Sequence, residues 1–85
     1  MEKKIEFISH AEESMRKRGI KREEVIRTIH KGEWISAKLG RIECEMEFPY
    51  EAEWNGRYYS RKKVRPVFKE ESDKIVVLTA YAYYY

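Results

Sequence analysis

Ile42-Glu43-Cys44-Glu45-Met46-Glu47-Phe48-Pro49-Tyr50-Glu51-Ala52-Glu53-Trp54-Asn55-Gly56 is the stretch on which the fold turns. Its even positions, from Ile42 to Trp54, are apolar or small, and all its odd positions except Pro49 and Asn55 are Glu. A period of two sets one row of side chains into a buried sheet face and the other into water. Pro49 has no N–H for a strand ladder, so it marks an edge or a bend. Asn55-Gly56 supplies two residues that accept positive φ, the strongest short hairpin signal. Arg57 to Ser60 is then the return strand, and Val64 to Lys69 a further strand bearing Pro66. Glu70-Glu71-Ser72-Asp73 reads as a turn. Ile75-Val76-Val77-Leu78 is continuously apolar, which predicts a central strand buried on both faces.

Upstream the period changes. Ile5 to Ile8 reads as a short first strand. Ser9-His10-Ala11-Glu12 fits a capping box, with the Ser9 hydroxyl on a backbone N–H and Glu12 reaching back. A first helix follows from about His10 to Arg18, with Ala11 and Met15 on one face. Gly19 stops it in the left-handed conformation usual past a helix end. A second helix starts near Lys21, with Glu23 and Glu24 in its first turn and Lys31 in its last, matching the helix dipole. Val25, Ile26 and Ile29 are its apolar stripe, and Gly32 ends it. The link between the helices is short, so they pack as a hairpin with Ile20 plugging the corner. Two helices followed by a run of strands predict an α+β domain, with a three- to four-stranded, mainly antiparallel sheet.

A chain of 85 residues is one domain's worth, 1–85, and excludes architectures that need about 250 residues. Lysine, arginine and acidic residues nearly cancel to +3 and aromatics are plentiful, so the chain folds rather than staying disordered. No apolar run reaches the roughly 18 residues of a membrane span, and the N-terminus lacks the pattern of a secretory signal. One cysteine, Cys44, excludes an internal disulfide and a cysteine-rich zinc site, so the expected compartment is the cytoplasm. Gln is absent and Asn55 is the only Asn, a composition that leans toward a thermophile.

Charge is segregated along the chain. Residues 1–32 carry +3, residues 33–56 carry −4 and residues 57–85 carry +4. Arg57, Arg61, Lys62, Lys63, Arg65 and Lys69 have no acid among them, and Tyr58 and Tyr59 lie in the same stretch. Cations attract phosphates, and tyrosine rings stack on unpaired bases, so this stretch is the candidate nucleic-acid-binding surface. Alternatively it is a solvated edge that discourages aggregation. The stripe from Glu43 to Glu53 is either the wet face of a strand or a docking face for a basic partner.

The chemistry-bearing groups are few. Four scattered glycines make no phosphate-binding loop. His10 and His30 lack a metal-ligand spacing, so neither a metal nor a cofactor is expected. Cys44 falls on the apolar side of its strand and reads as a buried thiol. His10, in the first turn of a helix, is either a surface or capping group or a proton-transfer group, since imidazole changes charge near neutral pH. Arg18 sits at the other end of that helix, where it complements the dipole. Tyr81 belongs to a terminal strand whose alternate tyrosines face opposite sides.

Phe7-Ile8-Ser9-His10-Ala11, then Met15-Arg16-Lys17-Arg18-Gly19-Ile20 and Glu23-Glu24-Val25, resemble the opening of the domain of unknown function 4258 family. Lys63-Val64-Arg65-Pro66-Val67-Phe68 and Ile75-Val76-Val77-Leu78-Thr79-Ala80-Tyr81 are similar to that family's closing hairpin. One departure is Ser14, where family members often carry Arg. The family is thought to be related to the RelE/ParE and BrnT toxins, small α+β domains with two N-terminal helices on an antiparallel sheet.

That resemblance implies a RelE-like toxin of a type II toxin–antitoxin system, acting as a metal-independent endoribonuclease. Such cleavage needs a base for the ribose 2′-OH, cations for the charged phosphorane and an acid for the leaving oxygen. His10 is the candidate base or acid. Arg18, Arg61, Lys63 and Arg65 are candidate phosphate clamps, and Tyr81 is a candidate acid or stacking platform. The expected partners are RNA, a small antitoxin protein and a second copy in a homodimer, with no membrane. The alternatives are a non-enzymatic RNA- or protein-binding module of the same fold, and a ParE-like inhibitor of a protein target.

Overall fold

Aromatic and β-branched side chains fit a pleated, half-buried surface, and the C-terminal half of the chain is rich in both. The computed structural model describes residues 3–85; Met1 and Glu2, which open the single domain expected over 1–85, lie outside the described residues. The elements run β1 (Lys4–Phe7), α1 (Ser9–Arg18), α2 (Arg22–Lys31), β2 (Ile35–Ser36), a 3₁₀ turn (Lys38–Gly40), β3 (Ile42–Glu43), β4 (Met46–Trp54), β5 (Arg57–Glu70) and β6 (Lys74–Tyr84). The sheet is ordered β1-β6-β5-β3-β2, and β4 pairs β5 beyond β3.

The architecture is α+β as expected, but with six strands rather than three or four. One pairing is parallel: β1 lies beside β6 with Ile5 opposite Ile75 and Phe7 opposite Val77. The expected strands Arg57 to Ser60 and Val64 to Lys69 are one strand of 14 residues. The stretch from Ile42 to Trp54 is assigned as two strands, yet Ile42 opposite Phe68 and Met46 opposite Val64 keep one register along β5. Its alternation therefore holds, with every odd residue of β4 exposed.

Both helices cover the same face of the sheet. Ala11 and Met15 of α1, Val25 and Ile29 of α2, and Val64, Phe68, Val77 and Ala80 of the central strands form the core. Ile20 is buried at the helix corner. Cys44 is buried too, its Sγ 3.4 Å from the Thr28 carbonyl, and desolvation pushes its thiol pKa up to about 11. One layer of helices leaves the other sheet face open, so Ile75–Leu78 is not buried on both faces. Ile75 and Val77 are buried while Val76 and Leu78 are half-exposed.

Two irregularities in the ladders decide which side chains share a face. Between Pro49 and Ala52 the β4–β5 register slips, with Glu51 at φ 48°. Between Val67 and Phe68 the β5–β6 register slips, because Leu78 is an extra residue on β6. The second slip inverts the alternation of β6. Ile75 and Val77 face the helices before it, and Ala80 and Ala82 after it, so Thr79, Tyr81 and Tyr83 are left on the open face.

The turns follow the backbone chemistry. Asn55 at φ 52° and Gly56 at φ 81° close the β4–β5 hairpin, as a two-residue turn of that hand requires. Gly19 at φ 69° ends α1, and the Ile20 N–H donates 2.8 Å to the Met15 carbonyl. The expected Ser9 cap is not formed. The Ile8 N–H donates to the Val77 carbonyl, so the chain passes from the β1 ladder straight into the helix and Ser9 is already its first helical residue. A carboxylate does start α2, where the Glu24 side chain accepts the Lys21 N–H at 2.9 Å.

Candidate functional site

His10, Ser14 and Arg18 recur every four residues, so they share one side of α1. β1 pairs β6 only as far as Val77, and beyond that point α1 runs beside β6. The shared side of the helix therefore meets the open-face residues Thr79 and Tyr81. Together with Arg41, these five side chains line a groove of about 370 Å³. The Thr79 hydroxyl bonds the buried Ser14 hydroxyl at 3.3 Å, which ties helix to strand at the groove floor. A longer side chain in place of Ser14 would fill this contact.

Tyr81 is the centre of the arrangement. The Arg18 guanidinium carbon lies 5.0 Å from its ring centroid and that of Arg65 lies 5.9 Å from it. Arg18 is held in place by donating to the Ala80 carbonyl at 3.2 Å. A second groove, of about 490 Å³, continues past Tyr81 and is bordered by Lys38, Arg41, Glu43, Arg65 and Thr79. Arg41, Thr79 and Tyr81 border both, so the two form one trough. Its charged lining is Arg18, Lys38, Arg41 and Arg65 against the single carboxylate of Glu43, with the His10 imidazole at one end. Such a trough can hold a phosphodiester and present a proton-accepting and a proton-donating group to it.

Lys38 and Arg41 were invisible to a charge count because they sit in the segment that totals −4. Their signal is local. Leu39 at φ 61° and Gly40 at φ 71° make a tight left-handed turn, and the Arg41 N–H donates to the Lys38 carbonyl at 3.2 Å. The turn brings Lys38 to the second groove and Arg41 to the junction of the two.

The expected basic surface from Arg57 to Lys69 does not exist as one surface. β5 is a single strand, so its residues alternate between faces. Arg61, Lys63 and Arg65 point to the open face, where each is paired with an acid of the stretch from Glu43 to Glu47. Arg61 lies 2.9 Å from Glu47, Lys63 3.5 Å from Glu45 and Arg65 3.7 Å from Glu43. The acidic stripe is thereby explained in its first half as the partner row of these cations. Across β6 each cation also meets a tyrosine: Arg65 is opposite Tyr81, Lys63 opposite Tyr83, and Arg61 bonds the backbone of Tyr85. The open face is a ladder of three rows, each running tyrosine, cation, carboxylate. Only Arg65 of the three also lines the trough, so Lys63 and Arg61 are not placed with His10, Arg18 and Tyr81.

Lys62 is turned away from any phosphate. It is 2% exposed, with Nζ 2.6 Å from the Gly19 carbonyl and 2.8 Å from Glu24 Oε1. The rings of Tyr50 and Tyr84 cover it at 5.6 and 5.7 Å. Tyr59 is also structural in part, packing 5.8 Å from Tyr84. Arg57 and Tyr58 are exposed at the hairpin tip, and Lys69 is exposed at the opposite end of β5.

Among the described residues no three His, Cys, Asp or Glu side chains are grouped as metal ligands would be. No helix among the described residues is long and apolar enough to cross a membrane. A search of curated proteins finds no match to the chain, and neither does a search of solved structures. The model of one protein family, the domain of unknown function DUF4258, matches residues 7–82. That span includes every residue of the trough, and the chain belongs to the DUF4258 family.

Proposed function

We propose that the protein is a metal-independent endoribonuclease of the RelE-like toxin type, and that the trough around Tyr81 is its active site. The observation that carries this reading is the placement of Tyr81 beside two guanidinium groups, Arg18 and Arg65, in the same trough as His10 and Arg41. The reaction class and the RelE-like reading of the fold come from the relation to the RelE/ParE and BrnT toxins that membership of the DUF4258 family implies.

In this reaction the RNA phosphate lies among Arg18, Arg41 and Arg65. The ribose 2′-oxygen bonds to phosphorus and its proton passes to His10. The bond from phosphorus to the 5′-oxygen breaks, and the leaving oxygen takes the Tyr81 hydroxyl proton. The products are a 2′,3′-cyclic phosphate and a free 5′-hydroxyl. Charge on the phosphorane is stabilised by the three guanidinium groups, whose planar donors match phosphate oxygens. An enzyme of this kind harms its own host, so the expected partner is a small antitoxin protein that closes the trough.

The test is RNA cleavage in chelator, between about pH 5 and 8, where imidazole changes charge. Wild-type protein should cut single-stranded RNA, and His10→Ala should slow cutting by on the order of 10²–10⁴-fold while binding persists. Binding without any cutting by the wild type would overturn the enzyme reading in favour of a binding module.

A further inference from the structure

Tyr81, Tyr83 and Tyr85 stand on the open sheet face, 38%, 43% and 48% exposed. Tyr81 and Tyr83 are alternate residues of β6, and Tyr85, paired through its backbone with Arg61, extends the alternation one step past it, so the rings recur at about 6.6–6.8 Å, twice the 3.4 Å stacking distance of nucleic-acid bases. The first ring lies inside the trough, and the other two lead away from it along β6. The row is not free to collapse. Arg65 bonds the Tyr83 hydroxyl at 2.5 Å with its guanidinium carbon 5.3 Å from that ring. The Tyr85 hydroxyl is held by the Glu47 carboxylate, which together with burial raises its pKa against the opposing pull of Lys63 and Arg61. Both outer rings are thus anchored at the tip by a cross-strand row and offer a face to solvent. Cations flank the row on both sides, with Arg18 on α1 and Arg61, Lys63 and Arg65 on β5.

We infer that Tyr83 and Tyr85 continue the trough as a stacking platform for unpaired RNA bases, so that the substrate is single-stranded RNA rather than duplex. This rests on the proposed function for the nature of the ligand. Every base has a face to stack, so the platform tolerates any sequence. A duplex keeps its bases stacked on one another and offers the rings nothing. The carboxylates Glu43, Glu45 and Glu47 form the outer column, beyond the cations, and so fence the strand onto the β6 side.

The test uses a short 2′-O-methyl oligoadenylate, which binds but cannot be cut because its 2′-oxygen is blocked. The comparison probes are a duplex and an abasic phosphodiester strand of the same length. Wild-type protein should bind the oligoadenylate more tightly than either. Tyr83→Leu and Tyr85→Leu should each weaken oligoadenylate binding by roughly 5- to 150-fold, the range of one base–aromatic stack, and leave the abasic strand unaffected. Tyr83→Phe keeps the ring and should bind like wild type although it loses the Arg65 bond. Equal binding of the abasic strand or duplex would overturn the inference, as would Leu variants that bind normally or alter only self-association. Because the probe cannot be cut, a failure of catalysis in the cleavage assay leaves this result standing.

Discussion

Lys62 Nζ lies 2.8 Å from Glu24 Oε1, and the pair joins the middle of β5 to the first turn of α2. The lysine side chain is 2% exposed and the glutamate 17%. An ammonium buried this far needs its donors satisfied, and the Gly19 carbonyl and Glu24 take two of them while Tyr50 and Tyr84 cover the charge. The pair sits where α1 ends, α2 begins and the hairpin closes over both. It therefore fixes how the helix layer is seated on the sheet.

Lys62→Met should accordingly lower stability, by on the order of 3 kcal/mol, as expected when one member of a buried pair is removed. The lower end of the usual range applies because Glu24 keeps some contact with water. Adding Glu24→Gln should recover part of the loss, since the second substitution removes the orphaned charge. Urea titrations of the two variants measure this. RNA affinity of the folded Lys62→Met protein should be unchanged, whereas a phosphate-binding lysine would show the opposite pair of results.

Gly19 makes a second prediction at the same corner. Its φ is 69°, and a Cβ there would come within 2.6 Å of the Trp54 ring and 2.9 Å of the Tyr84 hydroxyl. Gly19→Ala combines the left-handed penalty of roughly 1–2 kcal/mol with an overpacking cost of about 1–3 kcal/mol. Thermal melts should show a drop well beyond that of Gly56→Ala, where the φ is also positive but no atom lies within 4 Å. Equal losses at the two glycines would mean that Trp54 does not pack on the helix end.

The sequence announced what is local and periodic. Gly19 and the Asn55-Gly56 hairpin follow from backbone freedom, and the burial of Cys44 from its place in the alternation. What it could not announce depends on pairing. Lys62 has the same residue type as Lys63, and only the parity of β5 sends one into the corner and the other to the open face. The Leu78 bulge decides that Tyr81 and Tyr83 share the face of Arg65 and Lys63, and nothing in an unbroken apolar run marks it. The diagonal pairing of Glu43, Glu45 and Glu47 with three cations needs the β3–β5 and β4–β5 registers, so a charge tally shows two separate stripes.

The trough makes a prediction about salt. Binding of an RNA strand should weaken as salt rises, because each neutralised phosphate releases counterions. Arg41→Ser should weaken binding across all sequences and reduce the salt slope by about one, the signature of one lost phosphate contact. Arg61→Ser should alter the slope less, since Arg61 is already 2.9 Å from the Glu47 carboxylate. Equal slope changes for the two variants would place the strand on the ladder's cation column instead of in the trough.

Acid should loosen the end of the ladder. The Tyr85 and Arg61 hydrogen bonds hold the Glu47 carboxyl below its ordinary 4.5. A carboxyl whose folded pKa is depressed stabilises the fold above the unfolded value, and that contribution fades as pH falls through the folded one. The stability gap between wild type and Glu47→Gln should therefore be open at neutral pH and close below about pH 4.5, the ordinary value it starts from. Urea midpoints taken at neutral pH and in acid measure it, and a gap that is constant between the two would remove Glu47 from the ladder's energetics.

Alkali should act on the other side of the sheet, through Tyr84. Its hydroxyl donates 2.6 Å to the Arg18 carbonyl, and its ring stacks 5.0 Å from that of Trp54. Desolvation, with smaller contributions from Tyr50 and Glu24, pushes its pKa from 10.0 up to about 12. The folded state therefore holds the neutral phenol more tightly than the unfolded chain does. That stabilisation is complete below pH 10 and is lost as pH rises toward 12. Tyr84→Phe removes both the hydrogen bond and the titration. At pH 8 it should be less stable than wild type by about 1 kcal/mol, one ordinary hydrogen bond. Between pH 10 and 12 wild type should lose more stability than the variant, so the gap shrinks and then reverses. The remaining tyrosines and lysines titrate in both proteins, so the difference between them isolates Tyr84. Urea midpoints at pH 8, 10 and 11 measure it, and a gap that stays constant across those three values would show that the Tyr84 hydroxyl is not held in the aromatic corner beneath α1.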